Sequence, residues 1–77
     1  MENVKQQITD VLTDKLGVDE AEVLDDARLN EDLGADSLDA VEIIMEVEAS
    51  CNVSISDDEG MGVKTVNDLV KLVESKQ

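Results

Sequence analysis

The chain has 77 residues, enough for one small domain spanning 1–77, and its twenty Asp and Glu against six Lys and Arg set the net charge at −14. That balance excludes nucleic-acid binding and disfavours anionic membrane, both of which require basic surface. No apolar run approaches the roughly 18 residues of a membrane span, residues 1–9 lack the order of a signal peptide, and Cys51, alone, offers neither a disulfide nor a zinc cluster, so a cytoplasmic protein is expected.

Val4, Ile8, Val11, Leu12 and Leu16 fall on one stripe and predict an amphipathic helix over roughly 3–16, with Gly17 as its stop. From 18 to 36 the periodicity lapses. A connection this long needs a reason in a small domain; Val23, Leu29 and Leu33 are expected to pin it to the core, with a short helical turn over 19–23. Asp36 or Ser37 caps the next helix, which runs to about Ser50 or Cys51. The alternation from Asn52 to Ile55 suits a strand, but a lone strand has no partner, so Val53 and Ile55 read as loop anchors. Ser56-Asp57-Asp58-Glu59 carries the cap and charge of a short third helix, which Gly60-Met61-Gly62 weakens, leaving local mobility expected around 56–63. Thr65 caps a final helix whose stripe is Val66, Leu69, Val70 and Val73. The expected fold class is all-α: a small four-helix bundle of three main helices plus a short third, with a long loop between the first two. The 42% hydrophobic content, arranged with helical periodicity, argues against disorder.

The second helix carries three faces. Ala40, Ile43, Ile44, Val47 and Cys51 share a core arc; Asp39, Glu42 and Glu46 form a carboxylate stripe; Leu38, Val41 and Met45 form an apolar group off the core arc. Packing needs only two faces. The third group either completes a core wrapped by the 18–36 loop or stands out as a docking ridge with an apolar centre and a charged edge, where methionine adapts to several partners. Ten carboxylates lie between Arg28 and Lys64, an interval without a cation. They serve as a solvated acidic surface, or as a field that steers basic protein patches.

Gly34-Ala35-Asp36-Ser37-Leu38-Asp39 places a hydroxyl where a glycine-bearing loop enters this helix. The chain contains no histidine to activate it, and Gly-x-Ser-x-Gly is incomplete, so a serine hydrolase is excluded and no catalytic residue is assigned. The EF-hand spacing is also absent, and no metal site is expected. Such a serine reads as a place of attachment.

These residues, with Asp32-Leu33 before them, Val41-Glu42-Ile43-Ile44-Met45 after them, Leu16-Gly17-Val18 upstream and Thr65-Val66-Asn67-Asp68-Leu69 downstream, resemble acyl carrier proteins over nearly the whole chain. The resemblance implies a covalent 4'-phosphopantetheine on Ser37, acyl groups carried on it as thioesters, and no catalysis by the chain itself. It implies recognition of the second helix by a phosphopantetheinyl transferase and by acyl-processing enzymes with basic docking patches. That role carries onto Asp36, Leu38, Asp39, Val41, Glu42, Met45 and Glu46, and onto Glu48, which lies off the carboxylate stripe. A monomer without nucleic-acid partners or stable membrane insertion is expected. The acidic helix and the Gly34–Asp39 motif look like the bacterial fatty-acid type. A carrier dedicated to polyketide, lipid A or another acyl pathway is the alternative, and an unmodified acidic interaction module is the alternative from a different class. A short acyl chain is expected to find shelter among residues such as Ile44, Val47 and Ile55. The chain departs from the family where Cys51 stands for a common buried Phe, Ser56 for a common Pro, and Gly60-Met61-Gly62 for a charged helical stretch. These departures suggest a specialised paralogue.

Overall fold

The computed structural model describes residues 3–77. Four α-helices, α1 (Val4–Leu16), α2 (Ser37–Cys51), α3 (Asp57–Met61) and α4 (Val66–Ser75), are joined by loops, with one 3-10 turn at Glu20–Glu22 and no strand among the described residues. α1 begins where the Asn3 side chain accepts from the backbone N–H groups of Lys5 and Gln6, and ends at Gly17, whose φ of 67° is left-handed. The predicted stripe faces inward: Val4, Ile8, Val11 and Leu12 are buried, and Leu16 packs half-buried at the edge. α1 packs against both α2 and α4.

The 18–36 connection is more ordered than its lack of periodicity suggests. Val23, Leu29 and Leu33 are buried as expected, and Ala27 and Ala35 join them. The larger restraint is backbone pairing. The Leu29 N–H donates to the Lys64 carbonyl at 3.0 Å, and the Val66 N–H donates to the Ala27 carbonyl at 3.0 Å, forming an isolated antiparallel bridge between Arg28 and Thr65. The Asn67 N–H adds a bond to the Asp25 carbonyl at 2.9 Å. Nothing in the side-chain pattern of 25–29 signals this docking, because a single bridge requires no alternation. Buried backbone N–H and C=O groups must be paired, and here the start of α4 supplies the partners.

Val53 and Ile55 do anchor a loop: Ile55 is buried, Val53 is half-buried, and no strand forms. α3 is a single capped turn and contributes no buried residue. Its Gly60 lies against Ile44, with room for a methyl group 3.6 Å from Ile44 Cγ1.

α3 and α4 share one starting device. The Ser56 and Thr65 side chains accept from the N–H of Glu59 and Asp68, and those carboxylates accept from the N–H of Ser56 and Thr65 in return. Asp68 also accepts from the Lys64 N–H at 3.2 Å, and Glu59 pairs with Lys76 at 2.9 Å. These bonds favour the ionised forms. The Ser56 N–H and then Lys76 hold Glu59 below its ordinary value of 4.5, and the Lys64 and Thr65 N–H groups hold Asp68 below 3.8.

A carboxylate whose pKa falls on folding stabilises the fold above its unfolded-state value and loses that contribution as pH drops through its folded-state value. Backbone amide protection at the starts of α3 and α4 is therefore expected to be unchanged from pH 7 to 5. It should erode below about 4.5 for Glu59 and 3.8 for Asp68. Carboxyl-carbon NMR titration reads both midpoints directly; midpoints at the ordinary values would contradict the caps.

Candidate functional site

The approach to Ser37 is built residue by residue. Leu33 is buried, Gly34 turns the chain with a φ of 78°, and Ala35 is buried again. The Ala35 N–H donates to the Leu29 carbonyl at 2.9 Å, which fastens the turn to the bridged part of the loop. No neighbour lies close enough to exclude a Cβ at Gly34, so the backbone conformation alone favours glycine there.

Asp36 is the N-cap of α2. Its Oδ1 accepts from the Asp39 N–H at 2.8 Å, and Asp39 Oδ2 accepts from the Asp36 N–H at 3.3 Å. The sequence leaves Asp36 and Ser37 both eligible as the cap, and reads Asp36 and Asp39 as recognition elements. The structure gives the two carboxylates a reciprocal capping role first. The Asp-x-x-Asp spacing is the signal that reveals it.

This division of labour leaves Ser37 spare. It is the first residue of α2, it is exposed, and its hydroxyl makes no hydrogen bond to the described residues. A phosphodiester on this oxygen would stand at the positive end of the α2 dipole, which suits an anion. Asp36 and Asp39 oppose it, though both are engaged by backbone N–H groups. The residues present thus fit a covalently held phosphate.

The three faces of α2 are realised. Ile43, Val47 and Cys51 are buried, while Ala40 and Ile44 are half-buried. Leu38, Val41 and Met45 are 66%, 56% and 62% exposed, so they do not complete the core. Three large apolar side chains in solvent on one short helix form a patch of the kind that marks contact surfaces. Glu42 is exposed beside them, and Glu46 is exposed and meets Lys15 at 3.6 Å. An exposed pair of this length contributes little and leaves Glu46 able to change partners. Glu48 stands apart. It is half-buried, and its carboxylate accepts from the Ile55 N–H at 2.9 Å, tying α2 to the loop before α3.

Of the residues expected to shelter an acyl chain, Val47 is fully buried, Ile55 is buried and Ile44 is half-buried. A cavity of about 490 Å³ lies between the 28–35 loop and residues 61–64, which end α3 and lead to α4.

The two serine and aspartate roles separate experimentally. Asp36→Ala removes the cap and is expected to destabilise the fold by about 1 kcal/mol. Ser37→Ala removes a hydroxyl that bonds to nothing in the described chain and should leave stability unchanged. Urea unfolding of the two unmodified variants checks this; equal losses would show that Ser37 shares the capping.

The sequence model of the phosphopantetheine attachment site family matches residues 6–73, from the first turns of α1 to the last buried residue of α4. Members of that family hold 4'-phosphopantetheine covalently, and Ser37 with its capped helix lies inside the matched span. With the motif, the helical fold and this match together, the chain belongs to the phosphopantetheine attachment family, as a carrier domain of the acyl carrier type.

Proposed function

We propose that Ser37 is the attachment residue and that the chain carries acyl intermediates as thioesters among the enzymes of fatty-acid biosynthesis. One observation carries the assignment. At the start of α2 the carboxylates do the capping, and a solvent-exposed hydroxyl in the family's motif is left without a structural task. In the attachment step, Ser37 Oγ forms a bond to phosphorus as a pyrophosphate bond of the donor breaks. The hydroxyl proton passes to the transferase, and the nucleotide departs with the other phosphate of that bond. The arm, once bound, supplies a terminal thiol for thioester formation.

The chain's own residues then present and deliver. Leu38, Val41 and Met45 offer an apolar centre, and Asp36, Asp39, Glu42 and Glu46 surround it with negative charge suited to basic patches on visiting enzymes. Glu48 contributes charge from a position fixed by Ile55. In this role the chain supplies no catalytic group and works as a monomer in the cytoplasm. No described helix is long and apolar enough to cross a membrane. The fatty-acid assignment rests on the likeness of Gly34–Asp39 and the acidic helix to the bacterial fatty-acid type. A dedicated acyl pathway is the second reading. The observations that favour it are the small Cys51 at a buried position and an α3 reduced to five residues around Gly60.

Incubation with coenzyme A and a broad-range phosphopantetheinyl transferase should add the mass of the arm to the native chain and nothing to Ser37→Ala. A modified Ser37→Ala protein would place the attachment elsewhere. On the docking ridge, Met45→Glu should lower the transferase kcat/KM by about tenfold, the loss of ~1.4 kcal/mol expected from a central contact. Thermal stability should be unchanged, because Met45 is exposed. An unaltered rate would remove Met45 from the contact surface.

A further inference from the structure

The cavity of about 490 Å³ lies within the ~300–1,000 Å³ range of small-molecule sites. Its two walls are held by the backbone bridge described above, with Leu29 on one side and Lys64 on the other joined by their own hydrogen bond. The cavity is therefore formed before any ligand arrives. Leu29 and Ala35 give it an apolar wall that is part of the core. Met61, the last residue of α3, and Val63, in the link after it, also line the cavity, and Met61 is 80% exposed, an adaptable side chain. Ala35 is two residues from Ser37, so the cavity borders the loop that presents the hydroxyl.

The charge at this cavity departs from that of the rest of the surface. Two of the six basic residues, Arg28 and Lys64, line it. Arg28 is committed, pairing with Glu31 at 2.6 Å and reaching Asp32 at 4.0 Å. Its pairing with Glu31 also neutralises the one carboxylate among the lining residues. Lys64 spends its backbone on Leu29 and Asp68, but its ammonium makes no ion pair among the described residues. A cation without an ion pair, lining a cavity that Leu29, Ala35 and Val63 also line, suits a small group with an apolar stem and an anionic tip. On a surface of net charge −14 such a tip is repelled almost everywhere else.

We infer that this cavity docks short acyl groups ending in a carboxylate while they are tethered to the chain, with Lys64 as the specificity-determining contact. The inference rests on the carrier function proposed above and names a class of cargo for it. The apolar stem lies along Leu29, Ala35 and Val63, and the terminal carboxylate meets the Lys64 ammonium in a charge-assisted hydrogen bond.

The test loads the full chain with succinyl-pantetheine or butyryl-pantetheine from the matching coenzyme A esters, and intact mass verifies each product. In amide NMR spectra, succinyl cargo should shift Ala35, Val63 and Lys64 relative to butyryl cargo. Lys64→Gln should erase that difference, while Lys64→Arg keeps it. Hydrolysis of the succinyl thioester should accelerate roughly two- to fivefold in Lys64→Gln, the ratio a solvent-accessible charge pair supplies, with the butyryl thioester unaffected. Both variants preserve the backbone bonds of residue 64. Loaded chains whose two cargoes give the same spectra, or whose difference survives Lys64→Gln, would overturn the docking site and leave the carrier function standing. Chains that accept no arm would overturn both.

Discussion

Two backbone hydrogen bonds, Leu29 to Lys64 and Val66 to Ala27, fix more of this molecule than any side-chain contact does. They convert a long aperiodic connection into a segment with a defined course, and they place buried Ala27, Leu29, Leu33 and Ala35 against the helices. The loop leaves this anchor only a few residues before α2 begins, so the position of the α2 start follows from it. The same bonds set the spacing of the cavity walls. Ser37, the exposed ridge and the cavity therefore share one foundation, made of main-chain groups that any sequence possesses.

The charge of −14 is organised as well as tolerated. α2, α3 and α4 all begin with a carboxylate at the third helical position that reaches back to the cap residue. There the negative charge meets free N–H groups and the positive end of the helix dipole. α1, with no acidic residue in its first turn, relies on Asn3 instead. Much of the acidity near the helix starts thus has local partners. The remainder, Glu42 and Glu46 on the outer face of α2, stands in solvent.

Sequence and structure agree most closely where one physical rule decides. The stripes of α1 and α4 and the three arcs of α2 follow from a helical period applied to apolar side chains, the stop at Gly17 from its left-handed conformation, and the anchoring by Val53 and Ile55 from an alternation with no strand to pair with. The exposure of Leu38, Val41 and Met45 could not be fixed that way, because a helical wheel gives direction and not what lies in that direction. The bridge between Arg28 and Thr65 was illegible for a different reason: it is made by backbone atoms, which carry no residue code. The Asp36–Asp39 box was legible in its spacing. Glu48 illustrates the opposite limit, since nothing in the sequence announces that its carboxylate turns inward to the Ile55 N–H.

The burial of Cys51 has a consequence for a molecule of this family. A reactive thioester is exposed to transacylation by any thiolate that can reach it, and a protein-borne sulfhydryl moving with the same chain would be the most frequent visitor. Enclosed at the end of α2, with Sγ 3.5 Å from the Gln7 amide oxygen, this sulfur is removed from solvent. The chain thereby keeps its own sulfur from scavenging what it transports.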